Sequence, residues 1–239
     1  MKGMILAAGE GTRLHPLTQN LPKPMVRVSG KPILEHNIRL LSHYGICEVV
    51  VNLHHSPEAI TSYFGSGESF GVSITYSYEP SLLGTAGAVK KMESFFDEPF
   101  LVVYGDNLTN CSIEQFQAFH REKKGIGSIA LFYRENPESS GIASLDENDK
   151  ILHFIEKPRT QEIFSRWVNA GFLILEPEIL KYIPSDRASD FGKEIFPELI
   201  KNGHTLYGYK MKEQLWWIDT LEDYQKLQEL SLKGSLTLL

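Results

Sequence analysis

The residues of this chain best suited to chemistry are cations and carboxylates placed beside glycines. The first group is a turn, Gly9-Glu10-Gly11-Thr12-Arg13-Leu14, that follows the apolar run Ile5-Leu6-Ala7-Ala8. Glycines carry no Cβ, so backbone N–H groups can close around a polyphosphate, and the carboxyl end of a first parallel strand is where such ligands sit. A tight turn without a ligand is the plain alternative. A Walker loop needs a lysine directly after its second glycine, and none follows Gly11. A dinucleotide fingerprint needs glycine or alanine where Leu14 stands. The turn therefore points to a nucleotide but away from kinases and dehydrogenases. Arg13 adds a guanidinium that can clamp phosphate oxygens bidentately. Lys23, in Leu21-Pro22-Lys23-Pro24-Met25, adds an ammonium on a segment whose prolines fix φ on both sides. Read alone, Lys23 is equally a solvated surface lysine.

Asp106 follows the apolar run Leu101-Val102-Val103-Tyr104-Gly105. A carboxylate there can hold Mg²⁺, a hard ion that prefers carboxylate and phosphate oxygens; a helix N-cap is the alternative reading. Asp219, in Trp216-Trp217-Ile218-Asp219-Thr220, is the candidate second ligand. Lys157 lies between Glu156 and Pro158, so its backbone too is restrained by proline.

The elements that must position these residues alternate between apolar runs and helical segments. Residues 3–8, 47–53, 72–78, 99–104 and 128–133 read as strands. Helices are expected at 32–44 (Pro32 near its start, Gly45 after its end), from Ser56-Pro57-Glu58 to Gly65, at 86–96, and after Ser112 with Gln115 at the capping-box position. Buried strands separated by helices imply βαβ units and a mostly parallel sheet. Beyond residue 140 the pattern changes: 141–145 and 151–156 read as a hairpin, Trp167–Leu175 as a strand, 190–202 as a helix capped by Asp190, and 220–230 as a last helix with Thr220 and Asp223 as a capping box. The expected fold is α/β, a Rossmann-like three-layer α/β/α domain with a mostly parallel, mixed sheet. It covers residues 1–239 as one domain, in two halves that divide at about residue 110.

The 239 residues are 42% hydrophobic and 23% charged, with net charge −6. A nucleic-acid binder carries a basic excess, so polynucleotides are not expected partners. Two cysteines, Cys47 and Cys111, make no disulfide framework and read as buried or half-buried reduced thiols. The start is too short for a signal-peptide apolar region, and no window approaches a membrane span; a cytoplasmic location is expected.

Leu6-Ala7-Ala8-Gly9-Glu10-Gly11-Thr12-Arg13-Leu14, Pro16-Leu17-Thr18 and Pro22-Lys23-Pro24-Met25 together resemble the signature of the sugar-phosphate nucleotidyltransferases, the NDP-sugar pyrophosphorylases. Leu83-Gly84-Thr85-Ala86-Gly87-Ala88, Gly105-Asp106, Glu156-Lys157-Pro158 and Val168-Asn169-Ala170-Gly171 follow in that family's order, so the resemblance runs from residue 3 to about 224. It is strongest to the mannose 1-phosphate and heptose 1-phosphate guanylyltransferases, a likeness strengthened by Lys193-Glu194-Ile195-Phe196-Pro197.

The resemblance implies a substrate pair, a nucleoside triphosphate and a sugar 1-phosphate, giving an NDP-sugar and pyrophosphate with Mg²⁺ as cofactor. Leu6, Ala8, Gly9, Gly11, Thr12, Gly84 and Thr85 would bind the nucleotide. Asp106 and Asp219 would bind the metal, although Thr220-Leu221-Glu222 follows Asp219 where members have a glycine-containing turn. Lys157 would take the phosphate of the sugar 1-phosphate, Glu156 and Asn169 would face the sugar hydroxyls, and Gly141 and Gly171 would admit the sugar to the backbone. Glu79 precedes the base-recognition loop; a carboxylate accepts from guanine N1–H and amino groups but repels the oxygens of uracil or thymine, which favours GTP. UTP or dTTP are the alternatives. Many members carry a C-terminal left-handed β-helix, for which the expected domain leaves no room. A catalytically silent nucleotide-sugar sensor and a cytidylyltransferase acting on phosphocholine are the rival readings. A homo-oligomer is left open.

Overall fold

The computed structural model describes residues 1–9 and 11–238. Glu10, in the glycine-rich turn, and Leu239 lie outside the described residues. The strands are β1 (Gly3–Leu6), β2 (Arg27–Val28), β3 (Lys31–Pro32), β4 (Glu48–Leu53), β5 (Ser73–Tyr78), β6 (Phe100–Tyr104) and β7 (Asn107–Thr109). They continue with β8 (Gly127–Tyr133), β9 (Gly141–Leu145), β10 (Ile151–Glu156), β11 (Trp167–Leu175), β12 (Leu206–Lys210) and β13 (Leu215–Trp217). The α-helices are α1 (Ile33–His43), α2 (Pro57–Phe64), α3 (Gly84–Lys91), α4 (Ile113–Lys123), α5 (Phe196–Lys201) and α6 (Leu221–Leu232). The chain forms two compact units. One comprises Met1–Leu82, Val103–Cys111 and Glu213–Leu239; the other comprises Leu83–Val102 and Ser112–Lys212.

In the first unit β1 pairs in parallel with β4, and β4 with β5. Val49, Val50 and Val51 are fully buried, as expected of a parallel strand covered on both faces. Helices α1 and α2 supply the crossovers. A short hairpin, β2–β3, was not expected from the sequence: Ser29 and Gly30 both take positive φ, 51° and 80°, the signature of a two-residue turn that matches strand twist.

A second small ladder matters more. β7 and β13 pair antiparallel, with Trp217 opposite Asn107 and Leu215 opposite Thr109. Asp106 immediately precedes Asn107 and Asp219 lies two residues beyond Trp217, so this register brings both carboxylates to the same end of the ladder. Beneath it Leu14, Val26, Val28, Ile33, Leu108, Ile218 and Leu227 form one buried cluster, with Trp216 and Tyr224 packed against it. Each functional candidate here has an anchor close by in sequence: Leu14 beside Arg13, Val26 near Lys23, Leu108 near Asp106 and Ile218 beside Asp219. Helix α6 is held by the expected capping box, Thr220 accepting from Asp223 N and Asp223 accepting from Thr220 N.

In the second unit β8 pairs antiparallel with β11 and parallel with β12. The expected hairpin forms from β9 and β10, its turn closed by Asp146 Oδ1, which accepts from Asn148 N and Lys150 N. Phe116 and Phe119 of α4 pack on Tyr209 of β12. Ser112 caps α4 by accepting from Gln115 N.

Both units are α/β, so the fold class read from the sequence stands. Three details differ. The helix expected over 86–96 is α3 followed by a separate 3₁₀ turn, Glu93–Phe95. The helix expected over 190–202 opens as a π turn, Phe191–Ile195, before α5. Ile195 N reaches back to Asp190 O and Phe196 N to Phe191 O, the five-residue spacing of a π turn, and Pro197 next in line has no N–H to offer Lys193. Cys47 is exposed rather than half-buried, since it precedes the exposed first residue of β4. Cys111 is buried, and burial pushes its thiol up to about 12. No helix among the described residues is long and apolar enough to cross a membrane.

Leu14 is fully buried in the cluster under the glycine-rich turn. Leu14→Ala is expected to cost about 2–5 kcal/mol in urea unfolding, the usual range for a buried leucine.

Candidate active site

The glycine-rich turn is held from three sides within the first unit. Leu6 O accepts from Gly105 N. Ala7 N donates to Asn52 Oδ1 at 2.6 Å. Thr18, itself buried, donates through Oγ1 to Gly11 O at 2.7 Å. Ala8 is buried, whereas Gly9 is exposed and a Cβ built there would meet nothing within 4 Å. Packing therefore does not require glycine at residue 9, and the open space in front of it is where a ligand could approach the backbone. Gly11 is different. It sits at φ +65°, and a Cβ there would lie 2.7 Å from Lys23 Cβ. Its missing side chain gives room to the stem of Lys23. Thr12 opens a 3₁₀ turn, Thr12–Leu14, that carries Arg13.

Lys23 is 5% exposed, which removes the reading of a solvated surface lysine. Its Nζ donates to Asp106 Oδ2 at 2.7 Å and to Asp219 Oδ1 at 3.0 Å. Arg13 Nη2 donates to that same Asp219 oxygen at 3.1 Å. Burial works against the charged ammonium, but the two carboxylates outweigh it and hold Lys23 above its ordinary value. Asp106 lies in the turn between β6 and β7 and caps no helix. Four residues separated by up to 206 positions thus form one charge cluster.

The cluster suits Mg²⁺ by its donor chemistry. Two carboxylates already face one cation, and Mg²⁺ is commonly held by one or two carboxylates with substrate phosphates and water completing its shell. Among the described residues no group of three or more His, Cys, Asp or Glu forms a dedicated cage. Asp106 and Asp219 are the residues that would hold the ion.

Glu79 is buried at 1% exposure, so it is not a solvent-facing glutamate. Its Oε1 accepts from Asn52 Nδ2 at 2.8 Å. Asn52 thereby links Glu79, after β5, to the backbone of Ala7, after β1. The sequence reading missed Asn52. The available signal was a polar residue inside the apolar run of β4, which a buried strand tolerates only with partners.

The remaining candidates lie in the second unit. Gly84 opens α3, and Thr85 Oγ1 donates to Asp190 Oδ2 at 2.9 Å and accepts from Phe191 N at 2.9 Å. Asp190 also caps the π turn, its Oδ1 accepting from Gly192 N and Lys193 N. Glu156 Oε2 lies where a Cβ on either Gly141 or Gly192 would come within 2.5 Å, so two glycines make its seat. Burial, then the nearby Asp190 charge, raises the Glu156 carboxyl above its ordinary value. Lys157 takes a left-handed φ of 50°, uncommon for a non-glycine residue, and its N donates to Ser140 O at 3.1 Å. Asn169 Oδ1 accepts from Gly171 N at 2.9 Å, inside the register shift of β11 against β8. Gly141, Glu156 and Lys157 are thus drawn together with Asp190 and Gly192, while Asn169 and Gly171 shape the neighbouring strand.

A glycine turn on a parallel α/β unit, with a buried lysine and paired carboxylates beside it, offers donors and charges of the kind that suit a phosphate ligand. The sequence profile of the Nucleotidyl transferase family matches residues 2–232, and the chain belongs to that family. It is 40% identical to the UTP–glucose-1-phosphate uridylyltransferase of Synechocystis sp., the match covering 92% of this chain and 60% of that protein. It is 35% identical to the mannose-1-phosphate guanyltransferase of Eremothecium gossypii, covering 92% of this chain and 61% of that protein. The chain therefore spans about 60% of the length of these relatives. Among solved structures it superposes with TM-score 0.86 on a Bacillus anthracis chain assigned as a glucose-1-phosphate thymidylyltransferase, at 27% identity, covering 97% of this chain and 95% of that one.

Asn52→Ala strips partners from both Ala7 N and Glu79 and is expected to cost about 1–3 kcal/mol of stability. The amide of Ala7, which loses its acceptor, should also lose protection against hydrogen exchange; unchanged protection would show that Asn52 does not hold that backbone.

Proposed function

We propose that this chain transfers a nucleotidyl group from a nucleoside triphosphate to a sugar 1-phosphate and releases pyrophosphate. The observation that carries the reading is the cluster of Arg13, Lys23, Asp106 and Asp219 behind the glycine turn. The sugar phosphate oxygen, anionic at neutral pH, attacks the α-phosphorus; the new P–O bond forms as the bond to pyrophosphate breaks. No covalent nucleophile on the protein and no general base is needed. The problem to be solved is the repulsion between two phosphoesters, and its solution is alignment and charge neutralisation.

In this reading Lys23 lies against the α-phosphate. Arg13 and the backbone amides of the glycine turn stabilise the departing pyrophosphate. Lys157 orients the attacking phosphate, its direction set by the left-handed backbone and the bond to Ser140. Glu156 and Asn169 address the sugar hydroxyls, and Gly84 and Thr85 carry the base-recognition turn. Mg²⁺, held by Asp106 and Asp219, supplies charge neutralisation on the phosphates when bound.

For base and sugar we favour UTP and glucose 1-phosphate over GTP with mannose or heptose 1-phosphate. The guanine argument rested on Glu79, whose carboxylate is buried and gives Oε1 to Asn52. The relative at 40% identity is named for UTP and glucose 1-phosphate. A cytoplasmic enzyme with Mg²⁺ as its cofactor completes the proposal.

The test is pyrophosphate release from UTP, GTP, dTTP, CTP and ATP, each paired with glucose, mannose and heptose 1-phosphates and with phosphocholine. UTP with glucose 1-phosphate should lead. A GTP preference would restore the Glu79 argument, release with phosphocholine alone would select the cytidylyltransferase reading, and silence throughout would leave a nucleotide-sugar sensor. Arg13→Ala should lower kcat by about 100-fold, the scale of losing one transition-state donor, with a much smaller change in nucleotide binding. Equal losses in kcat and in affinity would make Arg13 a simple binding residue.

A further inference from the structure

We infer that Lys23 is an internal counter-ion that occupies the place of the divalent metal between Asp106 and Asp219 and leaves it when nucleotide phosphates offer a new partner. The inference rests on the proposed function and adds a rule about the order in which the ligands enter.

Lys23 Nζ stands 2.7 Å from Asp106 Oδ2 and 3.0 Å from Asp219 Oδ1. A metal ion bonded to the same two oxygens at the usual distance of about 2.1 Å would press against the ammonium, so the two cations exclude each other. The side-chain exposures define the approach: Lys23 is 7% exposed, Asp219 19% and Asp106 37%. Solvent reaches the carboxylates but scarcely reaches the cation between them. Arg13 meets the same Asp219 oxygen, so among these four described residues two acidic groups are matched by two basic ones. A hydrated Mg²⁺ arriving alone meets a neutral cluster and has little reason to shed water. A triphosphate changes the balance, because its oxygens accept from both Lys23 and Arg13 and release both carboxylates together. Metal and nucleotide must then bind with positive coupling, and the coupling must be reciprocal. Gly11 packs closely on Cβ and Cγ of the Lys23 stem, so in this inference the ammonium moves by rotation of the outer methylenes alone.

The experiment is Mn²⁺ titration of the full chain without nucleotide, by electron paramagnetic resonance, on the wild type and on Lys23→Met. Lys23→Met removes the charge and keeps an apolar stem. It should bind Mn²⁺ at least about tenfold more tightly than the wild type, within the usual range of coupling between two ligands, and Mn²⁺ should raise its Tm while leaving that of the wild type nearly unmoved. Equal affinities in the two proteins would overturn the inference. If Lys23→Met does not fold, the ammonium resonance of Lys23 in the wild type decides: Mg²⁺ alone should leave it in place, and adding α,β-methylene-UTP should shift it. A shift with Mg²⁺ alone overturns the inference. Pyrophosphate release by the wild type is measured in parallel, so an inactive protein counts against the proposed function and unchanged metal affinity counts against the counter-ion role.

Discussion

A buried ammonium held between two carboxylates is the constraint on which the first unit depends. An ionised side chain removed from water is costly unless paired; breaking a fully buried pair typically costs about 3–5 kcal/mol, and less where, as here, Asp106 is 37% exposed. Lys23 therefore needs both aspartates near it, and the fold must deliver them from distant parts of the chain. It does so with a three-residue ladder, β7 against β13, and with the apolar cluster of Leu14, Leu108, Ile218 and Leu227 beneath it. The hydrophobic cluster sets the position of the charges, while Gly105, Asn52 and Thr18 hold the glycine turn beside them. The residues proposed to meet phosphate are thus also ones that the packing of this unit holds in place.

The second unit solves a different problem, the placing of polar groups on a sheet of mixed direction. Asp190 ties the Thr85 turn to the π turn, and the π turn brings Gly192 against Glu156. The left-handed backbone at Lys157 and the irregular stretch between Asn169 and Leu173 in β11 are departures from regular structure beside the sugar-phosphate candidates. Such departures persist where the surroundings over-determine them, and functional sites are where they collect.

Much of this could be read from residues alone. The apolar runs of β1, β4 and β6 declare strands buried on both faces, and the caps at Ser112 and Thr220 mark helix starts through local hydrogen bonding. Arg13, Lys23, Asp106 and Asp219 stand out by the glycines and prolines near them, but Lys23 read equally as a surface lysine and Asp106 as a helix cap until burial and the ion pairs decided between them. Where the reading stopped short, the cause was a non-local partner. Asn52 looked like one polar residue in an apolar strand until Ala7 and Glu79 were seen on either side of it. The π turn at Phe191 ends just before Pro197, a residue that sequence patterns place without difficulty inside a first helical turn.

By itself the sequence determined the class of the fold, the glycine turn, and the cations and carboxylates placed beside glycines and prolines. Periodicity, capping and glycine or proline constraints act over a few residues, so they are written locally. Only the tertiary structure decided that Lys23 is a buried counter-ion to two aspartates, that Glu79 faces Asn52 instead of solvent, and that Gly11 is small because the stem of Lys23 passes it. Those facts depend on strand register and on which side chains share a core, and such contacts between residues 83, 196 or 206 positions apart arise only when the chain has closed on itself.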